Sequence, residues 1–350
     1  MTHESASALP TEGTEHLFVG NFLGYDVSVL DVAAATVVDT FSMGSKLVGD
    51  AERGLRPDSF ERSPDGSVLY ITRFPEPFRG SERATGTIDE SGDLCAVDSR
   101  TYELLWSVEL SGQPNHASIS PDGSLVYVPI RDRNFVEVVD VGRQEIVGRA
   151  ACGWGPHGMH VSADGTRLYV GTLYQDTLDV IDTSTLERVQ SVYFGEAVRP
   201  FSITRDDRRA FVQLSKLHGF KVVDLSDGRI TQTVDLPQLP DRGNEPARPY
   251  TQLEGTINHG MALTADESQL WLAASAEDFV AVYDATSLEV MTLIPVGAEP
   301  AYIHLNSNGT LCFVPNRKEN TVSIISTSEM KEIERVPVGD FPNRMISVVL

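Results

Sequence analysis

The sequence predicts an all-β protein, a seven-bladed β-propeller of four-stranded antiparallel blades whose last strand completes the first blade. A segment built on Ser-Pro-Asp-Gly, Leu-Tyr-Val and Val-Val-Asp recurs along the chain. Its central residues are Val19, Ile71, Val128, Val170, Val212, Leu272 and Val314, at steps of 52, 57, 42, 42, 60 and 42. A basic period of 42 residues made of short β runs is a propeller period. The repeat also overrides the two- or three-domain expectation for 350 residues, because a single blade buries its faces only against its neighbours.

Each element follows from its local residues. In blade 4, Pro156–Ser162 leads in as the first strand and Ala163-Asp164-Gly165 turns the chain, with glycine free to take a positive φ. Arg167–Thr172, Leu178–Asp182 and Arg188–Phe194 read as the remaining strands, rich in Val, Ile, Leu and Tyr and bounded by Gly, Asp and Ser. Blades 3 (Pro114–Gly153), 6 (Asn258–Gly297) and 7 (Pro300–Gly339) repeat this without insertion. The first strand met in the chain, His16–Gly20, is a second strand with no first strand before it. Met345–Leu350 is a first strand with nothing after it. The two complete one blade, which leaves no open sheet edge at the seam. Residues 1–15 read as a flexible tail and residues 16–350 as a single domain.

Leu168-Tyr169-Val170, Leu178-Asp179-Val180-Ile181-Asp182 and Val336-Pro337-Val338-Gly339 resemble the YVTN repeat of YncE-like seven-bladed propellers. The resemblance spans residues 16–350 and implies the fold. Related propellers include ligand binders, lactonases, muconate-cyclising enzymes and lyases, so it leaves the reaction open.

Composition excludes several roles. The net charge is −22, from 50 acidic and 28 basic residues, which repels a phosphate backbone and argues against nucleic acid. Cys95, Cys152 and Cys312 are odd in number and form no C-x-x-C pair. They read as reduced thiols of a cytoplasmic protein. No apolar run suits a signal peptide or a membrane span. There is no G-x-S-x-G elbow, H-E-x-x-H, P-loop or G-x-G-x-x-G.

Extra residues fall at Ser45–Arg56, Phe74–Gly92 and Asp241–Thr256, all expected as loops on one face of the ring. The short stretches that enter each blade near the axis hold His116, His157, His160, His259 and His304, five of the chain's eight histidines. Chance would place roughly one there, since these stretches are about a seventh of the chain. Converging imidazoles suit a divalent metal, which makes these five the candidate ligands. Without a metal, His116, His157 and His259 are candidate general acids and bases, joined by Glu61 and by Tyr302 as a proton donor. Gly158 and Gly260, each following one of these histidines, are expected to leave room for a ligand. Arg199, Arg344, Arg73, Arg131 and Arg317 reach the same face, where guanidinium groups would grip an anion. Asn115, Asn343 and Asp58 are expected to complete the binding set. The sequence therefore points to an enzyme acting on a small anionic metabolite in an axial funnel, of lyase, isomerase or lactonase type, with or without a metal. The alternative is a non-catalytic scaffold that takes a ligand or protein partner on the same face.

Overall fold

A computed structural model of the chain describes residues 13–75, 91–237 and 256–350. All of its regular structure is β, in seven antiparallel blades of a closed propeller. Six blades have four strands.

The blade physics is visible in the burial of successive strands. Second strands such as Leu125–Ile130 and Arg167–Thr172 are almost wholly buried, because neighbouring blades cover both of their faces. Outermost strands such as Lys331–Pro337 are largely exposed. The apolar clusters accordingly lie between blades. Leu17, Val19 and Leu30 of blade 1 pack with Phe313, Val322 and Ile324 of blade 7.

The first hairpin of blades 2 to 6 is locked by one acidic side chain, and Asn308 takes that place in blade 7. Asp164 Oδ1 accepts from Ser162 Oγ (2.7 Å) and from the Thr166 amide (2.9 Å), and Gly165 takes φ +75°. Asp65, Asp122 and Asp266 repeat the arrangement. These hydrogen bonds to the ionised form hold all four carboxyls down at about 2.

The ring closes as expected. Pro342–Val349 pairs antiparallel with Glu15–Asn21, with His16 opposite Val348 and Val19 opposite Met345. Of the expected tail, residues 1–12 lie outside the described residues, and Glu15 already belongs to the strand.

The expected loop at Ser45–Arg56 is a hairpin instead. Ser45–Val48 pairs with the start of Ala51–Arg62, and this fifth strand enlarges blade 2. Lys46 fixes it with a 2.8 Å ion pair to Glu109. Of the other two expected loops, residues 76–90 and 241–255 lie outside the described residues.

Candidate functional site

The innermost strands carry the site, and cross-strand register sets the height of each residue along the axis. Glu61, Ser118, His160, Ser202, Ala262, His304 and Ile346 pair with Tyr70, Tyr127, Tyr169, Phe211, Trp271, Phe313 and Phe18. They form one layer. His157, Arg199 and His259 stand three residues before His160, Ser202 and Ala262, in an upper layer. His116, Tyr302 and Arg344 stand two residues before Ser118, His304 and Ile346, between the two layers.

Six of the expected residues converge at this upper level. The His116 and His157 ring centroids are 4.2 Å apart. His259 lies 6.1 Å from His116 and 5.9 Å from His157. Tyr302 completes the cluster, with its hydroxyl 2.6 Å from His116 Nε2 and its ring 4.6 Å from that of His259. The Arg344 guanidinium carbon lies 4.2 Å from the Tyr302 ring centroid, a cation–π contact. Arg199 is oriented by a 2.7 Å bond from Nε to Ser215 Oγ. His259 Nδ1 lies 3.1 Å from the Ala301 carbonyl, which as an acceptor places a proton on that nitrogen. The three histidines, Tyr302 and Arg199 are at most 8% exposed.

The electrostatics follow from this crowding. Burial, then Arg344, the other two imidazoles and Arg199, hold His116 well below its usual pKa. It is therefore a neutral imidazole at pH 7, able to accept a proton. The thiols offer no nucleophile, since burial pushes Cys95 and Cys152 up to about 12 and Cys312 higher.

Other expected residues stand elsewhere. Glu61 lies in the lower layer, where burial pushes its carboxyl up to about 8 against the pull of Arg344 and Arg62. His160 lines a cavity of about 250 Å³ with Arg205, Asp207 and Glu267, below the cluster. His304 joins blades 7 and 1, with Nε2 accepting from the Ser347 amide at 2.9 Å. Among the described residues no three of His, Cys, Asp and Glu are arranged to hold a metal ion, and His160 and His304 stand apart from the other three histidines. Arg73 is committed to Asp93 (2.6 Å) and the Met43 carbonyl (2.7 Å). Arg317 is committed to Asn343 and lies 3.8 Å from Glu299. Both arginines expected to grip a ligand thus brace the scaffold, and so does Asn343. Asn115 and Asp58 are buried beside the cluster level, and Arg131 is half-buried.

Glycine also differs from expectation. A Cβ on Gly260 would stand 2.4 Å from Tyr302 Cα, so this glycine admits the Tyr302 backbone rather than a ligand. A Cβ on Gly158 would meet Phe201 and Pro200 at an ordinary 3.5 Å.

Fold and cluster define a seven-bladed propeller with an imidazole- and guanidinium-lined site on its axis. Residues 85–335 match the cytochrome D1 heme domain family, and the chain belongs to that family. No curated protein matches the sequence. Among solved structures, the periplasmic gluconolactonase of Pseudomonas aeruginosa is similar at 18% identity and TM-score 0.69, over 96% of this chain and 99% of its own. A putative 6-phosphogluconolactonase of Bacteroides fragilis is similar at 16% identity and TM-score 0.68, over 97% and 99%. Hydrazine synthase of Kuenenia stuttgartiensis is similar at 22% identity and TM-score 0.50, over 78% and 96%. At these identities the likeness shows the fold alone.

The family name implies a heme, and imidazole is a suitable axial ligand for its iron. The described residues do not fit one. The three imidazoles and Tyr302 pack ring against ring, His116 Nε2 is engaged by Tyr302, and His259 Nδ1 by a backbone carbonyl. A macrocycle is wider than the gaps between these rings.

Proposed function

We propose that the protein is a hydrolase that opens a small anionic lactone at the axial cluster. The observation that carries this reading is the Tyr302–His116 hydrogen bond beneath the Arg344 guanidinium. It supplies a neutral imidazole, a hydroxyl and a cation at one point. Ring opening needs each of these. The imidazole takes a proton from water as the water oxygen bonds to the carbonyl carbon. Arg344 and Arg199 stabilise the negative charge that develops on the carbonyl oxygen. As the ring C–O bond breaks, the departing oxygen takes a proton through the Tyr302 hydroxyl, and the proton held on His116 restores it. Atoms balance as lactone plus water giving one hydroxy acid. The lactonase descriptions of two similar structures support the choice of reaction among lyase, isomerase and hydrolase types.

The test is direct. Gluconolactone, its 6-phosphate and simpler lactones are offered to the protein, and acid release is followed by pH-stat. Hydrolysis above the buffer rate is expected for an anionic lactone, with His116→Gln and Tyr302→Phe lowering kcat by about 10²-fold or more. No lactone opened above the buffer rate, or variants as active as the parent, would overturn the reading.

A further inference from the structure

The turn between the first two strands of blade 7 carries a different clamping residue from its counterparts. In blades 2 to 6 that residue is Asp65, Asp122, Asp164, Asp206 and Asp266. In blade 7 it is Asn308, followed by Gly309 in the chain's one Asn-Gly dipeptide. Asn308 bonds as the aspartates do. Its Oδ1 accepts from the Thr310 amide at 3.0 Å and from Thr310 Oγ1 at 2.6 Å. In place of the clamp's serine or threonine stands Asn306, whose Oδ1 accepts from the Leu311 amide at 2.9 Å. Asn306 Nδ2 donates to Glu15 Oε2 at 3.0 Å, which ties this turn to blade 1.

Asparagine is a thermolabile residue, and its amide is lost most readily before glycine, which has no side chain to shield the attacking backbone nitrogen. Four observations place that chemistry here. Asn308 is exposed. Gly309 takes φ +70°, and a Cβ there would meet nothing within 4 Å, so a cyclic imide has room. The Oδ1 atom, which turns negative as a nitrogen adds to Cγ, already faces two donors. The departing Nδ2 makes no hydrogen bond among the described residues. One bond opposes the reaction: the Gly309 amide donates to the Asn306 carbonyl at 2.9 Å and has to let go first.

We propose that Asn308 is a site of spontaneous deamidation, and that its aspartyl product completes in blade 7 the acidic clamp of the other blades. The Gly309 nitrogen bonds to Asn308 Cγ, the Cγ–Nδ2 bond breaks, and ammonia leaves with the Gly309 amide proton. Water then opens the imide. Cleavage at Cγ gives aspartate, and cleavage at the backbone carbonyl gives isoaspartate, with one more carbon in the main chain. Net, asparagine and water become aspartate and ammonia, with no change of oxidation state. The turn favours the first product. An aspartate at this position keeps both Thr310 bonds, as the ionised carboxylates of the other blades keep theirs. An isoaspartate lengthens the path from Asn306 to Thr310 and loses them.

Ageing the full chain in mildly alkaline, heavy-oxygen water, followed by peptide mass mapping, tests this. Asn308 should convert ahead of every other asparagine, with uptake of one heavy oxygen. Aspartate should exceed isoaspartate, the two being told apart by retention against synthetic peptides. In urea, where the turn is gone, isoaspartate should lead. Thr310→Val removes the hydroxyl donor and should slow conversion in the folded chain but not in urea. Asn308→Asp should melt no lower than the parent at neutral pH, and circular dichroism checks that each variant is folded. An Asn308 that stays intact in the folded chain while the urea-unfolded chain converts would overturn the proposal. So would isoaspartate as the main folded-state product, or an Asn308→Asp variant that melts below the parent.

Discussion

Tyr302 of blade 7 and His116 of blade 3 meet across the axis, hydroxyl to Nε2, at 2.6 Å. They are 186 residues apart in the chain. Only the closed ring brings them together, and both are buried, so the bond reports ring closure and site assembly at once.

Removing the hydroxyl separates these roles. Tyr302→Phe keeps the ring that packs on His259 and Arg344 and deletes the hydroxyl that bonds His116. A stability loss of about 1–3 kcal/mol is expected for the buried nitrogen left without its partner. The loss of activity should be far larger than that stability change would explain. Urea midpoints and kcat measured on the same preparation check this. Equal, small effects on both would make the pair structural.

Gly260 controls where Tyr302 sits. Gly260→Ala forces the Tyr302 backbone away from contact distances of 2.4–2.6 Å, whereas Gly158→Ala meets its neighbours at 3.5 Å. The Gly260 variant should lose about 1–3 kcal/mol by overpacking and lose activity with it. The Gly158 variant should stay near the parent. Two variants that behave alike in thermal melts would refute the close-approach argument.

The fold was legible because successive blades restate the same turn chemistry, with a side chain of the Asp164 type fixing the first hairpin of blades 2 to 6. The site was legible in part. Spacing from the repeat placed His116, His157 and His259 at one opening, and the rings are in contact there. What repeat spacing could not give was side-chain reach. Arg73 and Arg317 sit at ligand-facing positions by register, yet Asp93 and Asn343 lie close enough to engage them. His304 aligns with His160 but meets Ser347 of the closing strand in the neighbouring blade, a partner that repeat spacing does not reveal.

The seam makes its own prediction. Removing residues 342–350 deletes the strand that pairs with Glu15–Asn21, exposes an edge on blade 1 and removes Met345, Ile346 and Val348 from two interblade cores. Loss of soluble folded protein is expected, since unpaired edges recruit other chains. The milder Ser347→Ala, which leaves the strand and the Ser347 amide bond to His304, should cost about 1 kcal/mol or less. A truncated chain that melts as a soluble monomer at the parent temperature would refute closure by this strand.

The pH dependence of stability follows from two groups of opposite sign. Glu61 titrates at about 8 in the folded chain against 4.5 for an ordinary glutamate, so the folded state holds the extra proton between these values. Its contribution is fully present below pH 4.5 and is lost as pH rises to about 8. His304 titrates at about 4 against 6.5, so the unfolded state holds the extra proton in that window. Its contribution is present above pH 6.5 and is lost as pH falls to about 4. Above pH 6.5 the Glu61 slope is no longer opposed by His304. Glu61→Gln should therefore flatten the decline in urea midpoint between pH 6.5 and 8 while leaving the acid limb in place, and His304→Gln should soften the acid limb. If the Glu61→Gln midpoint falls across pH 6.5 to 8 as steeply as the parent's, the Glu61 carboxyl is ionised in the folded state at neutral pH and the reading of a raised pKa fails.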